Sequence, residues 1–141
     1  MDSLTWAQAH GALVHFPVAL SFFALFCETG ALIRWHRPVG ESLRVAGGFA
    51  LLVGAAGSCG AVVSGLVLTR GELFGHGELR LHHVFGWPAF ALLIALAVWR
   101  ISLRQRPSRT GQLAYLLPLL LLGVLMAATA HWGGRLALAY P

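Results

Sequence analysis

Histidine is the side chain in this sequence best suited to chemistry. Seven occur in 141 residues. His10 and His15 stand five apart in HGALVHFPVAL, His76 precedes the pair His82 and His83, and His131 opens HWGGRLALAY. Neutral imidazole is the commonest metal ligand, and haem iron accepts it axially. Other chemistries are poorly served. Cys27 and Cys59 lie within apolar runs as packing thiols, and no C-x-x-C-H is present to attach a c-type haem. No H-E-x-x-H or phosphate loop occurs, and no Ser, His and acid set forms a hydrolytic triad. Glu72 and Glu78 flank His76 and offer donors to zinc or copper, but their spacing matches no established zinc pattern.

The elements that must position these histidines follow from composition. The chain is 57% hydrophobic and 11% charged, with a mean hydropathy of +0.73. A soluble domain of this size cannot hide that much apolar surface. A membrane-spanning helix takes about 20 apolar residues. Four segments qualify: Phe16–Ile33, Val45–Thr69, Leu81–Trp99 and Gln112–His131. Short connections make consecutive helices antiparallel neighbours. The expected fold is all-α, an integral membrane up-down four-helix bundle forming one domain over 1–141. Asp2 and the lack of early basic residues argue against a cleavable leader.

Arginine sets the expected orientation. All ten basic residues are Arg, giving a net charge of +5. Seven lie at one end (Arg34, Arg37, Arg44, Arg100, Arg104, Arg106 and Arg109) and three at the other (Arg70, Arg80 and Arg135). Basic connections stay cytoplasmic, so both termini are expected in the periplasm of a bacterial inner membrane. Trp6, Trp87 and Trp132 then mark the outer interface, with Trp35 and Trp99 at the inner one. The charge therefore reads as topology, not as a nucleic-acid surface.

In this frame six of the seven histidines gather at the outer end, and only His36 lies inside. Imidazole also suits an interface as filler, but ionisable groups at a membrane border are usually paired or functional. A haem b needs a slot lined by small residues. The second helix supplies Gly47, Gly48, Gly54, Gly57, Gly60 and Gly65; Gly86 follows His82 and His83 by one turn. The same residues also serve simple helix packing. Helices 1 and 3 are diagonal in an up-down bundle, so His15 and one of His82 or His83 would meet across its interior. His83, the deeper, is the expected partner, and His131 the substitute or a haem-propionate contact.

Pro17 leaves two readings of the first helix. A start near Phe16 places His10 in an irregular lead-in; a start near Ser3 makes Pro17 a bend that frees the Leu13 carbonyl. Glu28, the one acid within a span, is expected to pair with Arg34 or reach the inner interface, or else to relay protons.

Three stretches also resemble the motifs of a bacterial membrane-protein family of unknown function with four expected helices. HGALVHFPVAL resembles its HP-x-x-VHFP-x-AL opening, LHHVFGW its third-helix histidine motif, and AHWGGRLALAY its closing GH-x-GG-x-LVY. The resemblance spans nearly the whole chain and matches His10, His15, His83, His131, Gly133 and Gly134. Gly11 departs from it, standing where the family often has proline, and LALAY is looser than the family's ending. Fusion of some relatives to c-type cytochrome domains implies electron transfer and haem.

Two functions from different classes follow. One is a b-type cytochrome-like subunit whose bis-histidine haem b carries electrons near the periplasmic face, between the quinone pool and an acceptor such as a periplasmic cytochrome c. The other is a non-redox membrane subunit or assembly factor whose outer histidines bind a transition metal or a partner protein. In either case the chain contacts membrane lipid and is expected to work inside a larger complex.

Overall fold

The computed structural model describes residues 3–102 and 108–139, with side chains from residue 5 onward. It contains four helices: α1 (Ser3–Ile33), α2 (Pro38–Leu68), α3 (Gly77–Ser102) and α4 (Arg109–Ala139). All four are long and apolar enough to cross a membrane. Asp2, Arg104 and Arg106 lie outside the described residues.

Every helix outruns the apolar segment that announces it. At about 1.5 Å per residue, the 31 residues of α1 reach roughly 46 Å, against a hydrocarbon core of about 30 Å. Hydropathy marks only the portion in hydrocarbon, whereas the backbone ladder continues through the headgroup layer. One reading of Pro17 is thereby settled: α1 begins at Ser3 and runs through it, so His10 and His15 both sit on regular helix. Pro88 and Pro118 likewise lie inside α3 and α4. Membrane helices tolerate such prolines where neighbours cover the freed backbone groups.

α1 packs against α2 and α4, and α3 against the same two, which leaves α1 and α3 diagonal. The α1–α2 and α3–α4 seams are the closest and α2–α3 the slackest. Small residues explain the first seam. A Cβ at Gly47 would lie 3.0 Å from the Cβ of Cys27, and one at Gly54 would lie 3.3 Å from that of Leu20. The core holds Ala24, Ala50, Leu51, Leu93, Leu96, Leu119 and Leu122, while Phe16, Phe26, Phe49 and Leu117 face outward. Small residues close the α1–α2 seam, leucines fill the centre, and further large apolar groups face outward, as suits a chain solvated by lipid.

The arginine-rich end of the core is closed by polar groups. Glu28 is 1% exposed, and its carboxylate lies 3.4 Å from an Arg100 guanidinium nitrogen. Gln112 Nε2 donates to the same carboxylate at 2.5 Å, and Arg100 Nη2 donates to the Arg44 carbonyl at 2.5 Å. Gly48 leaves the space that the Arg100 guanidinium fills. The expected pairing of Glu28 with Arg34 is corrected: Arg34 is exposed beyond the end of α1, and the partner comes from α3. Cys27 is buried and Cys59 exposed, both as free thiols.

Candidate functional site

The buried face of α1 runs Pro17, Ser21, Ala24, Glu28, at alternating intervals of four and three residues. One heptad back from Pro17 this stripe passes Val14 and reaches His10. On α3 the stripe Leu96, Leu93, Ala89 continues back through Gly86 to His82. On α4 it runs from Met126 through Thr129 to Gly133. These stripes converge at the histidine-rich end on an apolar cavity of about 120 Å³, lined among others by His10, His82, His83, Gly86, Trp87 and Met126.

His10 and His82 are held in matching ways by the neighbouring even-numbered helix. His10 Nδ1 lies 2.9 Å from Ser64 Oγ, and that hydroxyl donates its own proton to the Ala61 carbonyl at 2.9 Å. The hydroxyl must therefore accept, so Nδ1 carries the imidazole proton and Nε2 keeps its lone pair. His82 Nδ1 donates to the Thr129 carbonyl at 3.0 Å, with the same result. Each ring also rests on a glycine. A Cβ at Gly65 would come within 3.1 Å of the His10 ring, and one at Gly133 within 3.2 Å of the His82 ring.

Fixing Nδ1–H on an oxygen and presenting Nε2 is how proteins prepare histidine for metal ligation. His10 and His82 belong to diagonal helices and line the same cavity. His83 differs from them. Its Nδ1 is buried with no hydrogen-bond partner among the described residues, and its ring centroid lies 6.2 Å from that of Trp87. Trp87 Nε1 donates to the Leu73 carbonyl at 2.8 Å, tying the α2–α3 connection over this end. Gly86 faces Thr129, where a Cβ would make ordinary contact at 3.5 Å.

Four of the six expected site residues thus share one cavity: His10, His82, His83 and Gly86. His15 and His131 do not line it. His15 is exposed, with Nδ1 against the Gly11 carbonyl one turn back, and His131 is exposed with its ring edge-on to Trp132 at 5.2 Å. Five residues of helix rotate a side chain about 140°, which takes His15 off the stripe that His10 occupies. Of the expected pair His15 and His83, only His83 lines the cavity, and His10 and His82 border it from the diagonal helices α1 and α3. Extending the heptad back from Pro17 was the signal for His10. The same extension on α4 finds Thr129 and Gly133, neither of which histidine spacing alone singles out as a partner of His82.

The loop carboxylates have other partners. His76 is almost fully exposed and lies 3.4 Å from Glu72, while Glu78 pairs with Arg135 at 2.7 Å. Among the described residues no three histidine, cysteine or acidic side chains are grouped to hold a metal ion. The donor set at the cavity is thus two prepared imidazoles, suited to an iron whose other ligands come from a macrocycle. The volume is more restrictive. A cavity of about 150 Å³ holds benzene in an engineered core, so the present, smaller space admits at most a single ring unless the helices separate.

A family model described as "Predicted membrane protein (DUF2231)" matches residues 7–141. No curated protein and no solved structure matches the chain.

Proposed function

We propose that this chain, which belongs to the DUF2231 family of predicted membrane proteins, is an electron-transfer subunit holding haem b through His10 and His82 at its histidine-rich end. One observation carries the reading: two imidazoles from diagonal helices, each with Nδ1 tied to oxygen, border the same apolar cavity. When bound, the haem would supply one-electron chemistry, and the imidazoles of His10 and His82 would hold it. Ser64 and Thr129 would hold the ligand rings in the required tautomer. Gly65, Gly133 and Gly86 would keep side chains out of the slot. The slack α2–α3 seam beside His83 is where the bundle would yield to a macrocycle.

In this reading the arginine-rich connections face the cytoplasm of a bacterial inner membrane, both termini are periplasmic, and electrons leave at the outer side. Assembly with further membrane subunits belongs to the same reading and would use the outward apolar faces, since the small residues of α2 are taken up by contacts within the bundle. A second reading rests on the cavity's size: a quinone head, one six-membered ring bearing carbonyl acceptors, would fit there with less movement.

Purification with haem supplied should give a red protein with a low-spin Soret band. His10→Ala and His82→Ala should each abolish haem retention or convert the spectrum to high spin, whereas His36→Ala should not. Low-spin haem surviving both substitutions would overturn the ligand assignment. A colourless protein that retains extractable quinone, and loses it on His82→Ala, would establish the second reading instead.

A further inference from the structure

The opposite end carries a second cavity, of about 290 Å³, between the α1–α2 connection and the start of α4. Arg34, Arg37, Arg109, His36 and Trp35 line it, with Leu32 and Ile33 below. Among the described residues none of the three lining arginines forms an ion pair, and no carboxylate lines the space. A fourth guanidinium, Arg44, lies 4.9 Å from the Trp35 ring centroid, with its Nε and Nη1 buried and without hydrogen-bond partners. Like charges gathered around one cavity repel unless an anion sits among them. Guanidinium matches phosphate in geometry, donating two parallel hydrogen bonds to it.

The apolar floor narrows the choice of anion. Leu32 and Ile33 are the last residues of the α1 apolar run, and Ile33 is 74% exposed. A ligand here meets arginine at one edge and acyl-chain depth at the other. We infer that this cavity binds the phosphate group of an anionic phospholipid, its headgroup among Arg34, Arg37 and Arg109 and its glycerol end over Leu32 and Ile33. Basic pockets at the cytoplasmic ends of membrane helices take up such headgroups. The inference is independent of any redox group at the other end.

Delipidated full-length protein in neutral detergent should be titrated with short-chain phosphatidylglycerol, short-chain phosphatidylcholine and inorganic phosphate, with binding counted by native mass spectrometry. Phosphatidylglycerol should bind at least tenfold more tightly than phosphatidylcholine. Arg34→Gln, Arg37→Gln and Arg109→Gln should each reduce that preference, and their combination should remove it. Arg70→Gln with Arg80→Gln, at the far end, should leave it intact. The single variants each alter one exposed side chain, so they keep the test open if the triple variant fails to fold. Retention of the preference in all three singles would overturn the site. Inorganic phosphate binding as tightly as phosphatidylglycerol would overturn the lipid assignment in favour of a soluble phosphate.

Discussion

The two ends of the bundle use the same helix positions for opposite purposes. The buried stripe of α1 begins at His10 and ends at Glu28; that of α3 begins at His82 and ends near Arg100. At the arginine end these positions carry full charges that face one another, with Gln112 from α4 donating to the carboxylate. At the histidine end they carry imidazoles bound on one side only, bordering free volume. One end is held by facing charges, and the other places imidazoles beside an apolar cavity. A four-helix bundle this short can therefore be pinned at one end while the other retains free volume.

The comparison breaks most visibly if the closed end is opened. Glu28→Ala should cost about 3–5 kcal/mol, because it leaves the Arg100 charge buried without its carboxylate. Thermal unfolding in detergent would measure this. Glu28→Leu combined with Arg100→Leu should recover most of the loss, since replacing both charges removes the burial penalty with the pair. An unaltered midpoint for Glu28→Ala would mean that this end is not what holds the bundle.

Packing gives the next effect. Gly47→Val places methyl groups where even a Cβ lies 3.0 Å from that of Cys27, and overpacking of this kind costs about 1–3 kcal/mol. Gly134→Val, with nothing within 4 Å of its Cβ, should shift the same midpoint by less than about 0.5 kcal/mol.

The open end should respond in binding more than in stability. His82→Ala removes one hydrogen bond, about 0.5–1.5 kcal/mol, yet under the proposed function it should eliminate haem retention. Ser64→Ala should lower stability by a similar small amount and weaken retention without abolishing it, because only the His10 tautomer is released. Spectra and unfolding midpoints on the same samples would separate the two effects. The smallest change belongs to Arg135→Gln: its partly exposed pair with Glu78 should be worth under about 1 kcal/mol.

Hydropathy and loop length were enough to determine the number of helices, their antiparallel order and the diagonal placement of α1 and α3. Local chemistry dictates these features: each span must be apolar, and short connections cannot reach a distant partner. Charge gathering at one end and histidine gathering at the other were equally legible, because both follow from counting along an up-down chain. Which histidines face inward was not, since it depends on helix phase. With α1 starting at Ser3, the 140° between His10 and His15 puts one ring in the cavity and the other outside. Tertiary structure alone decided that Ser64 and Thr129 orient the inward rings and that Arg100, not Arg34, answers Glu28. Those contacts join residues 47 to 72 positions apart, and only the packing of one helix on another brings such pairs within hydrogen-bond or ion-pair range.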